Sequence, residues 1–337
     1  MNAKKWLLTG LPLLAALGLM WTLKTTGGFG SRSALKIETE THDGRVDIED
    51  SDGFRLTFHE PPSRVLPCNA SIVDLLLLLI DPEKIVALPE QADTWSLVAE
   101  APELFAKHPR LSRYLAEPVI VHRPDLVIVS QFNTPDTNAR LRDMDIPLLR
   151  LPIRNTFEDV IETLHTLSSI FRAEDRLVRA LAKLEARRAA LAKRVAGDVA
   201  ARVLFYSNYG TGGWTYGDNS TVNTFIEMAG LKNAAGGEGG SGARRISYEE
   251  VLTLDPDLII VSSAENGAKG ATRRLLETSS SLKGLRALKN GALIELSPRL
   301  AQASSQEMLS AAEVLAKAWS DFRGPPQSKP SRQGSGR

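Results

Sequence analysis

The chain is poor in the groups that build most covalent and metal chemistry. Its 337 residues include one cysteine, Cys68, which excludes a disulfide framework and any cysteine-based metal cluster. Five histidines, His42, His59, His108, His122 and His165, are scattered and form no H-x-x-x-H pair. A metal, if the protein handles one, is therefore expected inside a ligand, and no resident cofactor is expected. Neither sign of charge is in excess. The formal net charge is +1, which removes the electrostatic argument for nucleic acid. There is no G-x-S-x-G elbow, and no histidine evidently reaches the strand-end serines Ser130, Ser262 and Ser263. A hydrolase would lack its base, and an enzyme is not expected.

What is present is globular. Hydrophobic residues make up 43% and charged residues 24%, enough for one large core or two ordinary ones. Lys4 and Lys5 precede an uncharged run at 6–23, "WLLTGLPLLAALGLMWTL". A basic start and an apolar run mark an export signal, and the run is also near the lower limit for a spanning helix. Cleavage after the small residues near 25–28 and retention as an anchor both fit. No cysteine follows, which argues against a lipoprotein anchor. The end at 324–337, "GPPQSKPSRQGSGR", cannot bury apolar surface and is expected to be disordered.

One phrase occurs twice: "HRPDLVIVS" at 122–130 and "LDPDLIIVS" at 254–262. Each has a Pro-Asp entry, four apolar residues and a polar stop. The apolar runs do not alternate with polar residues, so both faces of each strand should be buried, as in a central parallel strand. The surroundings repeat as well. "SRVLPCNASIVDLLLLL" and "ARVLFYSNYGTGGWTYGDNSTVNTFIEMAG" both run basic residue, strand, polar loop and apolar helix. Residues 45–60, "RVDIEDSDGFRLTFHE", alternate around Asp-Gly and predict a hairpin. Asn69 or Ser71 can cap a helix starting near 70.

From Phe157 about forty residues run without Pro or internal Gly, opened by Thr156 and Asp159 as a capping box. A single helix of that length would span about 60 Å, with a bend expected near Arg172–Glu174. The predicted division is a leader or anchor at 1–34, a hairpin at 35–62, an N-terminal lobe at 63–155, a bridging helix at 156–198, a C-terminal lobe at 199–323 and a tail at 324–337. The fold class is α/β: two small parallel-sheet lobes joined by one long backbone helix, with a ligand cleft between them.

This order of elements resembles the periplasmic substrate-binding proteins of ABC importers for vitamin B12, ferric siderophores and heme. The resemblance covers roughly 46–322 and rests on the leading hairpin, "RPDLVIVS", the linking helix, "RRISYEEVLTLDPDLIIVS" and the closing helix. It implies a monomeric, periplasmic protein that captures a metal chelate or corrinoid and delivers it to a membrane permease. It also implies exposed acids that dock the permease, for which Asp136 and Glu265 fall near the right places.

Strand-end loops should face the cleft. In the first lobe these offer Asn69, Gln91, Asp93, Trp95, Gln131, Phe132 and Asn133. In the second they offer Asn208, Tyr209, Trp214, Tyr216, Arg244, Arg245, Ser263, Arg299 and Gln302. The loop at 206–217 carries Tyr206, Tyr209, Trp214 and Tyr216, four of the chain's ten Tyr and Trp residues. Aromatics on a glycine-rich loop suit a large flat or greasy ligand better than core packing, with packing on the lobe's own helices as the alternative. Trp95 and Phe132 can form the opposing wall. Its "GTGG" lacks a phosphate-loop pattern. Arg244 and Arg245 precede a helix at a place that often carries a cleft residue in the resembled family; with Arg299 they can meet carboxylate or catecholate oxygens. For heme, Tyr209 or Tyr216 can serve as an axial ligand, with no histidine placed to partner it. A membrane-anchored sensor or scaffold is the alternative reading, and a hydrolase a weaker one.

Overall fold

The computed structural model describes residues 36–38, 44–197, 200–208, 213–237, 242–263 and 270–323. The predicted leader and tail, Tyr209 and Glu265 lie outside the described residues. Among the described residues no helix is long and apolar enough to cross a membrane.

The predicted hairpin is present and gains a strand. β1 (Lys36–Glu38), β2 (Val46–Glu49) and β3 (Arg55–Phe58) form an antiparallel sheet. Asp50 builds the turn by accepting the amides of Asp52 and Phe54 at 2.9 and 3.0 Å. Gly53 supplies the left-handed residue at φ +83° that a side chain would resist.

The first lobe runs β4 (Val65–Pro67), α1 (Ala70–Leu79), β5 (Leu88–Pro89), α2 (Ala92–Trp95), β6 (Arg110–Leu111), α3 (Ala116–Val121), β7 (Leu126–Val129), α4 (Pro135–Asp143) and β8 (Leu148–Arg150). Two helices follow, α5 (Phe157–Phe171) and α6 (Glu174–Val195). The second lobe runs β9 (Arg202–Phe205), β10 (Ser207–Asn208), β11 (Gly213–Tyr216), α7 (Thr221–Met228), β12 (Lys232–Asn233), β13 (Ala243–Ile246), α8 (Tyr248–Leu254), β14 (Leu258–Ser262), α9 (Ala271–Thr278), α10 (Arg286–Lys289), β15 (Leu293–Leu296), α11 (Pro298–Ala301) and α12 (Glu307–Arg323).

The repeated phrase does the same work in each lobe. β7 lies between β4 and β8, and β14 between β9 and β15, in parallel sheets. Leu126–Val129 and Leu258–Val261 are wholly buried, as the unbroken apolar runs require. The residue before each proline, Arg123 or Asp255, is left-handed, at φ 47° and 37°. The aspartate after each proline pins the entry to the neighbouring strand. Asp125 accepts the amides of Ser63 and Arg64 at 2.8 and 2.9 Å, and Asp257 that of Arg202 at 2.9 Å.

The expected forty-residue helix is two helices. α5 ends in a Schellman motif. Arg172 is left-handed, its amide bonds Ser169 O at 3.4 Å, and the Ala173 amide bonds Ser168 O at 2.9 Å. The chain then folds back, so that Arg188 Nη2 of α6 meets Glu158 Oε1 in the first turn of α5 at 2.8 Å. Of the stretch expected to bridge the lobes, α6 is the longer helix, 22 residues or about 33 Å. It touches the first lobe through Arg176 and Asp81 at 2.6 Å, and the second through Arg187 and Glu313 at 2.7 Å.

Glycine is the usual residue at such a reversal. Arg172 occupies it because its guanidinium donates to the carbonyls of Gly44 and His59, tying the hairpin to the leading sheet. Arg172→Ala keeps the strained backbone and loses the tether, whereas Arg172→Gly loses the tether and relieves the strain. The alanine variant is expected to be less stable than the glycine variant by about 1 kcal/mol. Urea midpoints of the two variants check this. Equal midpoints would show that the left-handed turn is not what the sequence has to support here.

Candidate functional site

A cavity of about 800 Å³ opens between the lobes. It lies at the carboxyl ends of the parallel strands, where open α/β sheets gather their ligands. The loop after β4 brings Asn69 and Ser71, the loop after β7 brings Ser130 to Thr134, and the loop after β8 brings Ile153, Arg154 and Asn155. Gln91, Trp95, Arg113 and Tyr114 complete the first-lobe side. The second lobe contributes Tyr216, Asn219 to Thr221, Gly242, Ala243, Arg299, Gln302 and Ser304.

Nine of the residues expected from the sequence line this cavity: Asn69, Gln91, Trp95, Gln131, Phe132, Asn133, Tyr216, Arg299 and Gln302. Two of them also hold the loops in place. Asn69 Oδ1 accepts the Ser71 amide at 2.9 Å as the cap of α1, and Asn133 Oδ1 accepts the Ser130 amide at 2.9 Å. Phe132 is 77% exposed, an apolar ring on a rim with nothing of its own lobe covering it.

The other described residues are placed elsewhere, each for a local reason. Asp93 faces Arg110, which grips both of its carboxylate oxygens. Asn208 joins Thr272 through its amide at 2.9 Å. The Ser263 amide extends the sheet to Leu296 O at 2.7 Å. The segment read as a glycine-rich loop is largely a small antiparallel sheet of β10, β11 and β13. Trp214 and Arg245 are cross-strand partners in it, with the guanidinium 5.5 Å from the indole centroid. Arg244, which precedes α8 as expected, is itself in β13 and pairs with Glu250 at 2.7 Å. The next pair along the ladder, Tyr216 and Ala243, is the one that reaches the cavity. Tyr206 is fully buried.

Sequence reasoning passed over Arg154, Arg113, Tyr114, Asn155 and Asn219 to Thr221. For Arg154 and Asn155 a signal existed. They follow β8, and a parallel neighbour of β7 must release its loop at the same edge. Tyr114 and the α7 entry had no such mark.

The electrostatics of the cleft are one-sided. Three arginines line it, and among the described residues no Asp or Glu does. Arg299 is already engaged, by Glu100 of the first lobe and Glu307 of the second, and so ties the lobes together. Arg154 is 4% exposed; Nε donates to Ser304 O at 2.9 Å and Nη1 to Pro152 O at 3.2 Å. Burial lowers its pKa to about 10, which leaves it charged at neutral pH. The Tyr114 hydroxyl donates to Asn138 Oδ1 at 2.6 Å, and burial pushes its pKa up. Burial also pushes up the Cys68 thiol. Among the described residues no group of three or more His, Cys, Asp or Glu gathers to hold a metal ion.

Two parallel-sheet lobes with a helix reaching both and a cleft between them are the architecture of a two-lobed binding protein. The sequence profile described as periplasmic binding protein matches residues 68–300, well over half the chain, and the chain belongs to that family. The family consists of binding proteins rather than catalysts, and its members act as substrate-binding components alongside ABC-transporter permeases.

Solved structures share the fold. The periplasmic heme-binding protein RhuT of Roseiflexus aligns with a TM-score of 0.68 at 23% identity, covering 78% of this chain and 99% of that one. A protein of the ABC-type Fe3+-hydroxamate transport system of Saccharomonospora viridis aligns at 0.67 and 22%, covering 81% and 98%. The molybdate-binding protein MolA of Haemophilus influenzae aligns at 0.66 and 20%, covering 81% and 90%. Comparison with curated protein sequences gives no match.

Proposed function

We propose that this protein captures a metal chelate or corrinoid, a ferric siderophore foremost, outside the cytoplasm and delivers it to the permease of an ABC importer. The observation that carries the reading is the cavity. Its 800 Å³ lies within the range of small-molecule sites, and both lobes wall it with amides, hydroxyls and the rings of Trp95, Phe132, Tyr114 and Tyr216. A bare oxyanion would leave most of that volume to water. The heme and Fe3+-hydroxamate proteins among the structural neighbours support a ligand of chelate size. Asn69, Gln91, Trp95, Gln131, Phe132, Asn133, Tyr216, Arg299 and Gln302 are proposed to contact it. Asp136, exposed in the first turn of α4, is proposed to dock the permease together with Glu265.

Titration of tryptophan fluorescence with ferric hydroxamate and catecholate chelates, hemin and cyanocobalamin tests the reading. Saturable quenching by one class at micromolar concentration is expected. No saturable response from any of them would overturn the chelate-carrier reading in favour of a scaffold. Trp95→Ala should weaken binding by more than about 1 kcal/mol, as an aromatic wall lost from a pocket does. Trp214→Ala should leave affinity unchanged, since that ring lies outside the cavity against Arg245. A loss at Trp214 without one at Trp95 would relocate the site.

A further inference from the structure

Among the described residues Arg154 is a buried charge in the cleft without an acidic partner. It sits between β8 and α5 at the floor of the cleft, 4% exposed, and among the described residues it makes no ion pair. Two of its three nitrogens are spent on carbonyls from the two lobes' sides, those of Pro152 and Ser304. Nη2 has no protein acceptor among the described residues. The acid that stabilises its charge from a distance, Asp159, is itself occupied by the amides of Asn155 and Thr156 at 3.1 and 2.8 Å. A buried cation without a carboxylate is costly, and a protein that retains one commonly leaves room for an anion beside it.

The surroundings fit that anion. The entry to α1, at Asn69 to Ser71, opens on the cavity from the first lobe, and the entry to α7, at Asn219 to Thr221, opens on it from the second. Both helix ends carry the positive pole of the backbone dipole. Arg113 adds a further exposed cation at the wall. Arg299, the remaining arginine, is neutralised by two glutamates and does not compete for this role.

We propose that the ligand is anionic, and that one of its carboxylate or catecholate oxygens accepts a hydrogen bond from Arg154 Nη2 between the entries to α1 and α7. The proposal rests on the chelate-carrier reading and narrows it. It selects ferric catecholates, hydroxycarboxylate chelates and heme, with its propionates, over neutral corrinoids and over cationic or neutral hydroxamates.

The test is a charge series on the intact exported chain. A ferric tris-catecholate, a ferric citrate-type chelate and hemin are compared with a neutral ferric trihydroxamate, one carrying a free ammonium, and cyanocobalamin. At least one anionic probe should bind about tenfold or more tighter than any neutral or cationic probe. Arg154→Met should remove that preference, and Arg154→Lys should retain part of it because charge persists without the planar fork. Circular dichroism and thermal midpoints confirm that the variants fold. The wild-type series needs no variant, so a misfolded substitution does not blunt the test. Tight binding of a neutral or cationic probe, unaffected by Arg154→Met, would overturn the anion proposal and leave the carrier reading intact. Binding of no probe of any charge would overturn both.

Discussion

Asp74→Asn is expected to flatten the fall in stability that the wild-type protein shows as pH rises from about 5 to 8. Asp74 is 1% exposed, on the α1 face that meets the second lobe. Its carboxylate accepts the Leu97 amide at 2.8 Å and the Ser305 hydroxyl at 3.2 Å, and its carbonyl accepts Gln306 Nε2 at 2.9 Å. Among the described residues it forms no ion pair. Burial dominates and raises its pKa from 3.8 to about 7, against the hydrogen bonds and the more distant Arg299.

The direction follows from proton counting. The folded-state pKa lies above the unfolded one, so between about pH 4 and 7 the native state binds more protons. The contribution is fully present below pH 4 and is lost as pH rises through 7, an effect of roughly 4 kcal/mol. Asparagine keeps an oxygen for Leu97 and an amide for Ser305 but cannot ionise. Urea midpoints of both proteins at pH 5 and pH 8 decide the matter. Parallel pH profiles would show that Asp74 does not titrate in the folded protein. Because Asp74, Ser305 and Gln306 join the two lobes, the same titration should loosen that contact at alkaline pH.

The second large effect is expected from Phe205→Ala, at about 3–5 kcal/mol of stability. Phe205 closes β9 and is fully buried, and the ring of Tyr216 meets it edge-on, with centroids 5.3 Å apart and planes at 81°. Tyr216 lines the cavity, so Phe205 is the backing of a wall residue that it holds from behind. The alanine variant should therefore lose both stability and ligand affinity. Phe205→Leu, which keeps most of the volume, should cost under about 1.5 kcal/mol. Denaturant midpoints and the fluorescence titration read the two effects separately. An alanine variant that loses stability while binding normally would show that Tyr216 is held by β13 rather than by Phe205.

Several elements were legible in the residues themselves because short-range physics governs them. The apolar runs at Leu126–Val129 and Leu258–Val261 allow little but central strands. Thr156 and Asp159 form the capping box their spacing demands. Asn69 caps its helix through its own side chain. The reversal at Arg172 was not legible as such. Composition allowed only a bend there, since the left-handed turn is stabilised by carbonyls of residues 44 and 59, more than a hundred positions away. Arg244 and Arg245 do lead into α8 as they read, but only pairing with β11 makes them a strand.

The sequence by itself determined the α/β class, the two matched halves and the edge at which their loops emerge, because strand burial, capping and turn chemistry act within a few residues. Only the tertiary structure decided which polar side chains share a cavity and which charges are left over. Trp95 and Tyr216 meet one space while Trp214 turns to Arg245. Arg299 is claimed by Glu100 and Glu307, and among the described residues Arg154 forms an ion pair with no acid. Whether a charge is spent depends on partners brought from distant parts of the chain, and no local pattern records it.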